Sequence, residues 1–314
     1  MQPEELARAS AFVVVVVGVF VQAAWVIGRR VVLALLRRTS APSARGQAYE
    51  RGILALAAAG LACVLYGRFV EPYWLATPHV RVPLARVGSG GVKILHFSDL
   101  HCDAHKRLED RLPEVAAAEK PDLITFSGDA VNGPEGLEHF RETMSALAKV
   151  APVYAVLGNW DAWINAGLRF YDDLPVHLLS ADGELVTVRG TRLWISGTGA
   201  ARSGHLQRLM QERPKDAVAV YIHHFPDSIE DAAALGCDLY LCGHTHGGQV
   251  ALPFYGALVT FARFGKRYER GLYRVGSMWA YVNPGVGMEG GPAPRVRFWV
   301  RPELTVLELV PREP

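Results

Sequence analysis

Five short β-rich runs in this chain break off into polar residues of the same few kinds. Val92–Ser98 runs into Asp99-Leu100-His101, Asp122–Ser127 into Gly128-Asp129, and Val153–Leu157 into Gly158-Asn159-Trp160-Asp161. Ala217–Ile222 runs into His223-His224, and Asp238–Cys242 into Gly243-His244-Thr245-His246. One Asp or His after a strand is an ordinary turn residue; five strand ends each carrying a carboxylate, amide or imidazole need another reason. Helical patterns at Arg107–Glu119 and Gly136–Lys149 separate the first three runs, and Arg192–Ser196, Met278–Val282, Arg295–Arg301 and Thr305–Val310 read as further strands. Strands alternating with helices predict an α/β domain with buried sheets. In such domains the site lies beyond the carboxyl ends of the strands.

The residues at those ends suit metal ions. Asp99, Asp129 and Asn159 offer oxygen, and His101, His224, His244 and His246 offer nitrogen. Two cations side by side need a shared anion and mixed N and O donors, a set that fits Mn, Fe, Zn or Co better than Ca. In Asp99-x-His101 and His244-x-His246 the paired side chains point to one side of an extended chain and can enter one cavity.

These motifs, D-x-H, G-D, G-N-x-D, a His and then G-H-x-H, resemble the calcineurin-like metallophosphoesterase superfamily in order and spacing. The resemblance covers Val92–Val310 and implies a four-layer α-β-β-α sandwich. Gly243–Gln249 followed by Leu252-Pro253-Phe254, with the later Val282-Asn283-Pro284-Gly285, is similar to a bacterial membrane-associated branch. That branch includes proteins like the UDP-2,3-diacylglucosamine hydrolases of lipid A synthesis. By position, the resemblance implies one divalent metal on Asp99, His101 and His246, a second on Asn159, His224 and His244, and Asp129 bridging them. His224-Phe225-Pro226-Asp227 fits the family's H-x-P-D, which leaves His223 as a neighbouring group. The chemistry implied is hydrolysis of phosphodiester or pyrophosphate bonds by a metal-activated hydroxide.

One position departs from the pattern. The family places a His after the Asn of G-N-H-D/E; here Trp160 stands there, with the supporting Asp161 retained. An indole donates one hydrogen bond but is no general acid near neutral pH. Leaving groups that need no proton, such as a nucleoside phosphate released from a pyrophosphate, are then favoured. Trp160 could also stack on a base, pack an acyl chain, or simply pack beside Trp163.

Ahead of this domain lie two apolar runs, 11–28 and 52–70, the first uncharged and the second uncharged as far as Gly67 and closed by Arg68-Phe69-Val70. Each approaches the roughly 20 residues that cross a bilayer. The first lacks the basic leader of a secretory signal, since Glu4 and Glu5 precede it with only Arg8. Between the runs, Arg29, Arg30, Arg37, Arg38, Arg45 and Arg51 face only Glu50. A basic loop stays in the cytoplasm. If both runs span a bacterial cytoplasmic membrane, the large domain lies outside; if only one does, it lies in the cytoplasm. The expected organisation is therefore an anchor over 1–70, a Pro/Gly/Arg-rich linker or edge segment over 71–91, and a metallophosphoesterase domain over 92–314.

Net charge is +2 and no basic field argues for a nucleic-acid polymer as partner. A transporter or channel subunit is a poor fit, because two spans alone enclose no pathway and neither uncharged stretch, 11–28 or 52–67, holds Asp, Glu, Lys, Arg or His. Cys63, Cys102, Cys237 and Cys242 lack metal-finger spacing and read as small buried hydrophobes. His96 reads as a buried strand residue, and His79, His139, His177 and His205 have no motif context. His105 and Arg263 are candidates for substrate contact. Val250–Gly265 reads either as a loop on the membrane surface meeting an anionic lipid or as a hairpin capping the site. Gly287–Gly291 reads as a turn. The expected partners are thus the bilayer and a phosphoester, which the likeness to the membrane-associated branch implies is lipid-linked. The rival reading is a non-catalytic metal-binding membrane module that lost activity with its His.

Overall fold

The computed structural model describes residues 2–38, 42–291 and 294–312. Residues 39–41 of the expected basic loop and 313–314 of the expected domain lie outside that range. Two long helices, α1 (Pro3–Leu35) and α2 (Ala44–Phe69), pack as an antiparallel pair. Glu50, buried between them, accepts from Arg30 Nε at 2.9 Å and also pairs with Arg29. Both helices are long and apolar enough to cross a membrane. Their apolar surface is turned outward, with Val14, Val15, Val21 and Trp25 each more than 60% exposed.

The remainder is a two-sheet sandwich. One sheet runs β1 (His79–Leu84), β14 (Thr305–Pro311), β2 (Val92–Phe97), β3 (Leu123–Phe126), β4 (Val153–Ala155), β5 (Val176–Leu178). The other runs β12 (Gly271–Val275), β13 (Met278–Val282), β9 (Leu239–Cys242), β8 (Val218–His223), β7 (Thr191–Thr198), β6 (Asp182–Val188). Between the sheets lie Ile94, Leu123, Val156, Ile195, Val220, Leu241 and Leu307, all buried. The outer face of the first sheet is covered by α3 (Arg111–Glu119) and α4 (Leu137–Ala148). The second is covered by α5 (Leu206–Glu212) and α6 (Ile229–Ala234). This is the expected α-β-β-α layering. β2, β3 and β4 pair in parallel, as do β8 and β9, so their carboxyl ends gather at one rim.

The 71–91 segment, read as a linker or edge segment, contributes the edge strand β1, parallel to β14, so the sheet begins at His79. Two details differ from expectation. Arg295–Arg301 is not a strand. Its backbone donors go elsewhere: Arg297 N to Gly67 O at 2.9 Å, Phe298 N to Gln249 O at 3.0 Å, and Trp299 N to Glu71 Oε2 at 2.9 Å. It clasps the end of α2 to the domain. Cys102, Cys237 and Cys242 are buried, but Cys63 is exposed on α2.

Candidate metal centre

The seven expected ligands meet at the rim. Asp99 and His101 follow β2, Asp129 follows β3, Asn159 follows β4, His224 follows β8, and His244 and His246 follow β9. The loops stay laced beyond the strands, with His101 N donating to Asp129 O at 3.1 Å and Cys102 N to Ala130 O at 2.9 Å. Such tight turns force unusual backbone. Asp99, His101, Asp129, His244 and His246 all have positive φ, from 42° to 71°, a region non-glycine residues seldom enter and which concentrates at functional sites. The motif glycines permit the crowding: a Cβ at Gly158 would collide with the Asp129 carboxylate, and one at Gly243 with the Asp99 and Ser98 side chains.

The ligand atoms converge. His246 Nε2 lies 3.3 Å from Asp99 Oδ1 and 3.2 Å from His101 Nε2. Asp129 Oδ2 stands between His101 Nε2 at 3.6 Å and His224 Nε2 at 3.3 Å. His224 Nε2 is also 2.8 Å from Asn159 Oδ1 and 3.2 Å from His244 Nδ1. Two groups, Asp99-His101-His246 and Asp99-Asp129-His224, are each compact enough to hold an ion.

This donor set fits divalent cations. Asp99 and Asp129 are buried, and among the described residues no lysine or arginine pairs with either carboxylate. Burial of unpaired charge costs several kcal/mol, roughly, per ion. Burial by itself lowers the His224 pKa, yet Asp129 and Asp99 together lift it to about 9, so the pocket calls for positive charge. Burial lowers His101 to about 3 and His244 to about 4, keeping both imidazoles neutral and able to ligate. His224 Nδ1 lies 2.8 Å from Ser127 O and His244 Nε2 3.4 Å from Phe261 O, contacts that put an N–H on the outer nitrogen of each ring and turn the other nitrogen inward, where on His224 a cation would replace the proton. The Nδ1 atoms of His101 and His246 are buried without a partner, so a cation on Nε2 would set their tautomers.

Asp161 faces away from the donors. Its carboxylate accepts from Asp129 N at 2.9 Å, Ala130 N at 2.8 Å and Gly158 N at 2.8 Å. It holds the Asp129 and Asn159 loops in place. Trp160, buried, sets its ring edge against His101 with centroids 5.3 Å apart, and its N–H backbone donates to Asp129 Oδ1 at 2.8 Å. It does not pair with Trp163, which is exposed and stacks on Phe225.

The other candidates stand apart from the donors. His223 is buried, with Nδ1 2.8 Å from Thr198 O. His105 is exposed in the loop before α3, and Arg263 is exposed with its side chain over Phe264. His96 is buried as expected, Nδ1 lying 3.0 Å from Thr125 Oγ1, and burial lowers its pKa to about 4. Glu289 was not singled out by sequence. It sits in the 287–291 turn, where burial raises its pKa while His246 and the Trp160 side chain oppose. A lone Glu in a Gly-rich turn carries no signal until the fold brings that turn over the rim. The 250–265 segment forms the short hairpin β10 (Ala251–Leu252) and β11 (Gly256–Ala257), with Phe254 exposed at its tip.

A four-layer sandwich with carboxylate, amide and imidazole donors converging at one rim defines a metal-dependent phosphoester hydrolase. Residues 92–248 match the calcineurin-like phosphoesterase family, which uses a dinuclear divalent metal centre, and the chain belongs to that family. It is 32% identical over 262 residues to the uncharacterized metallophosphoesterase YkuE of Bacillus subtilis, covering 78% of this chain and 88% of that one. It is 31% identical over 255 residues to the phosphodiesterase YaeI of Escherichia coli, covering 78% and 92%.

Proposed function

We propose that this protein is a membrane-anchored phosphodiesterase that cleaves phosphodiester or pyrophosphate bonds, with a lipid-linked phosphoester as its substrate class. UDP-2,3-diacylglucosamine exemplifies the class. The observation that carries the reading is Asp129 Oδ2 standing between His101 and His224, ligands from separate loops. Asp99, His101 and His246 would hold one cation, Asn159, His224 and His244 the other, with Asp129 shared. Mn, Fe, Zn or Co suits these donors. When bound, such ions supply Lewis acidity toward phosphate oxygens and bring the pKa of water toward neutral.

The chain's own contribution is placement. Asp161 fixes the loops, Ser127 O and Phe261 O fix the tautomers of His224 and His244, and Trp160 closes the wall beside His101. Trp160 delivers no proton, which suits a leaving group that departs as an anion. The hairpin of α1 and α2 supports anchoring with the basic loop in the cytoplasm and the catalytic domain outside. The likeness to a protein named as a phosphodiesterase does not favour the non-catalytic alternative.

The test is hydrolysis of bis(p-nitrophenyl) phosphate with added Mn(II). Wild type should turn over and Asp129→Asn should lose at least about 100-fold, the scale reached when even outer metal-site support is removed. Absence of metal-dependent turnover in wild type would overturn the reading. Reporter fusions at the C-terminus test the side of the membrane.

A further inference from the structure

A cavity of about 350 Å³ lies between the first turns of α1 and the segment after β9. Ala9, Phe12 and Val13 form one wall and Leu258, Val259 and Phe261 another. Its polar end is made by Thr245, His246 and Glu289, so it opens directly on the candidate metal centre. The volume is within the roughly 300–1,000 Å³ usual for ligand sites, which are mostly apolar with a few convergent polar groups.

The wall is built, not incidental. Glu5 of α1 is buried and accepts from Thr260 N at 3.0 Å and Thr260 Oγ1 at 2.7 Å. Arg8 donates to Tyr255 Oη at 3.1 Å. These contacts hold α1 against the 255–261 segment. α1 has 33 residues and, at ~1.5 Å per residue, is roughly 50 Å long, against about 30 Å of bilayer hydrocarbon. Its first turns therefore stand beside the domain while the rest continues into the apolar run. Phe254 and Phe261 are exposed nearby, and an adjoining recess is lined by Arg8, Arg263, Lys266 and Arg267 together with Glu4 and Glu5. An apolar chamber with a metal-ligating end and a wall that leads into a membrane span matches an amphiphile with a phosphate head.

We infer that this cavity holds the hydrocarbon chain of the substrate while its phosphate lies at His246, so that α1 is a wall of the substrate site as well as an anchor. The inference rests on the phosphoesterase reading above. A water-soluble diester would have no use for Phe12 and Val13.

The test uses p-nitrophenyl alkyl phosphates from methyl to octyl, which share one leaving group, on the full chain in nanodiscs with Mn(II). In wild type kcat/KM should rise at least about tenfold from methyl to octyl, as burial of added methylenes requires. Ala9→Trp, which fills the cavity, and Phe12→Gln, which makes its wall polar, should flatten that rise. Val21→Trp, on the outward face of α1, should keep the rise. In metal-stripped protein, a hexadecyl phosphodiester with a diazirine at the chain end should label the 9–13 and 258–261 peptides. Turnover of the methyl ester that does not rise with chain length, an equal rise in Ala9→Trp, or labelling confined to the outward faces of α1 and α2 overturns the inference alone. No turnover of the methyl ester overturns the hydrolase reading, and the inference with it.

Discussion

Asp161 ties together the two loops that carry Asp129 and Asn159: its Oδ2 accepts from Asp129 N at 2.9 Å and from Gly158 N at 2.8 Å. Asp161→Asn turns one acceptor into a donor that faces backbone N–H groups. It should destabilise the fold by about 1–3 kcal/mol, the cost of an orphaned buried donor. Mn(II) affinity should fall by roughly 10–100-fold, as for other outer-shell changes. Denaturant titration and calorimetry read both; unchanged affinity would contradict the positioning role.

Buried carboxylates without a basic partner make metal binding a folding term. At a free concentration about 100 times Kd, one bound ion adds ~2.7 kcal/mol to stability. For a domain of this size that is a rise in Tm of roughly 5–10 °C, at about 2–4 °C per kcal/mol. Thermal denaturation with Mn(II) and then with a chelator should show the rise and its reversal. A Tm indifferent to both would mean that the pocket does not take cations in the folded state.

Trp160 occupies the place where the metallophosphoesterase motif that this sequence resembles has a His. Trp160→His should raise turnover of alkyl phosphodiesters, whose alkoxide needs a proton, more than that of p-nitrophenyl esters, whose phenolate does not. Equal changes in the two would count against the absent proton donor as the reason for the difference.

Legibility in the sequence followed from how local each constraint is. Asp99, Asp129, Asn159, His224, His244 and His246 stand directly after buried strands, so a period-2 pattern and its break reveal them. His224 turns its Nε2 toward Asp129, whereas His223 turns to Thr198. Arg295–Arg301 has strand composition, but its hydrogen-bond partners are Gly67, Gln249 and Glu71, far away in sequence. Glu289 and the α1 wall were invisible for the same reason: each acquires its role only when distant segments meet. β1 was masked by Pro83 and its Arg-rich surroundings, which an edge strand tolerates.

His79, at the start of β1, lies 3.2 Å from Glu308 on β14 and 3.2 Å from Glu119 at the end of α3. The hydrogen bond to Glu308 raises its pKa, burial opposes the rise, and Glu119 adds to it. A raised folded pKa stabilises the fold below the ordinary value near 6.5 and loses that contribution as pH climbs through the folded value. An NMR titration should find His79 above its ordinary value and Glu308→Gln should bring it down. A His79 titrating at or below the ordinary value would contradict the pairing.

Metal content per chain measures the central claim most directly. Full-length protein loaded with Mn(II) and desalted should retain two equivalents by elemental analysis, and Asp129→Asn should retain one or fewer. Retention of no metal by wild type, or of the same amount by wild type and Asp129→Asn, would contradict a pair of cations sharing that carboxylate.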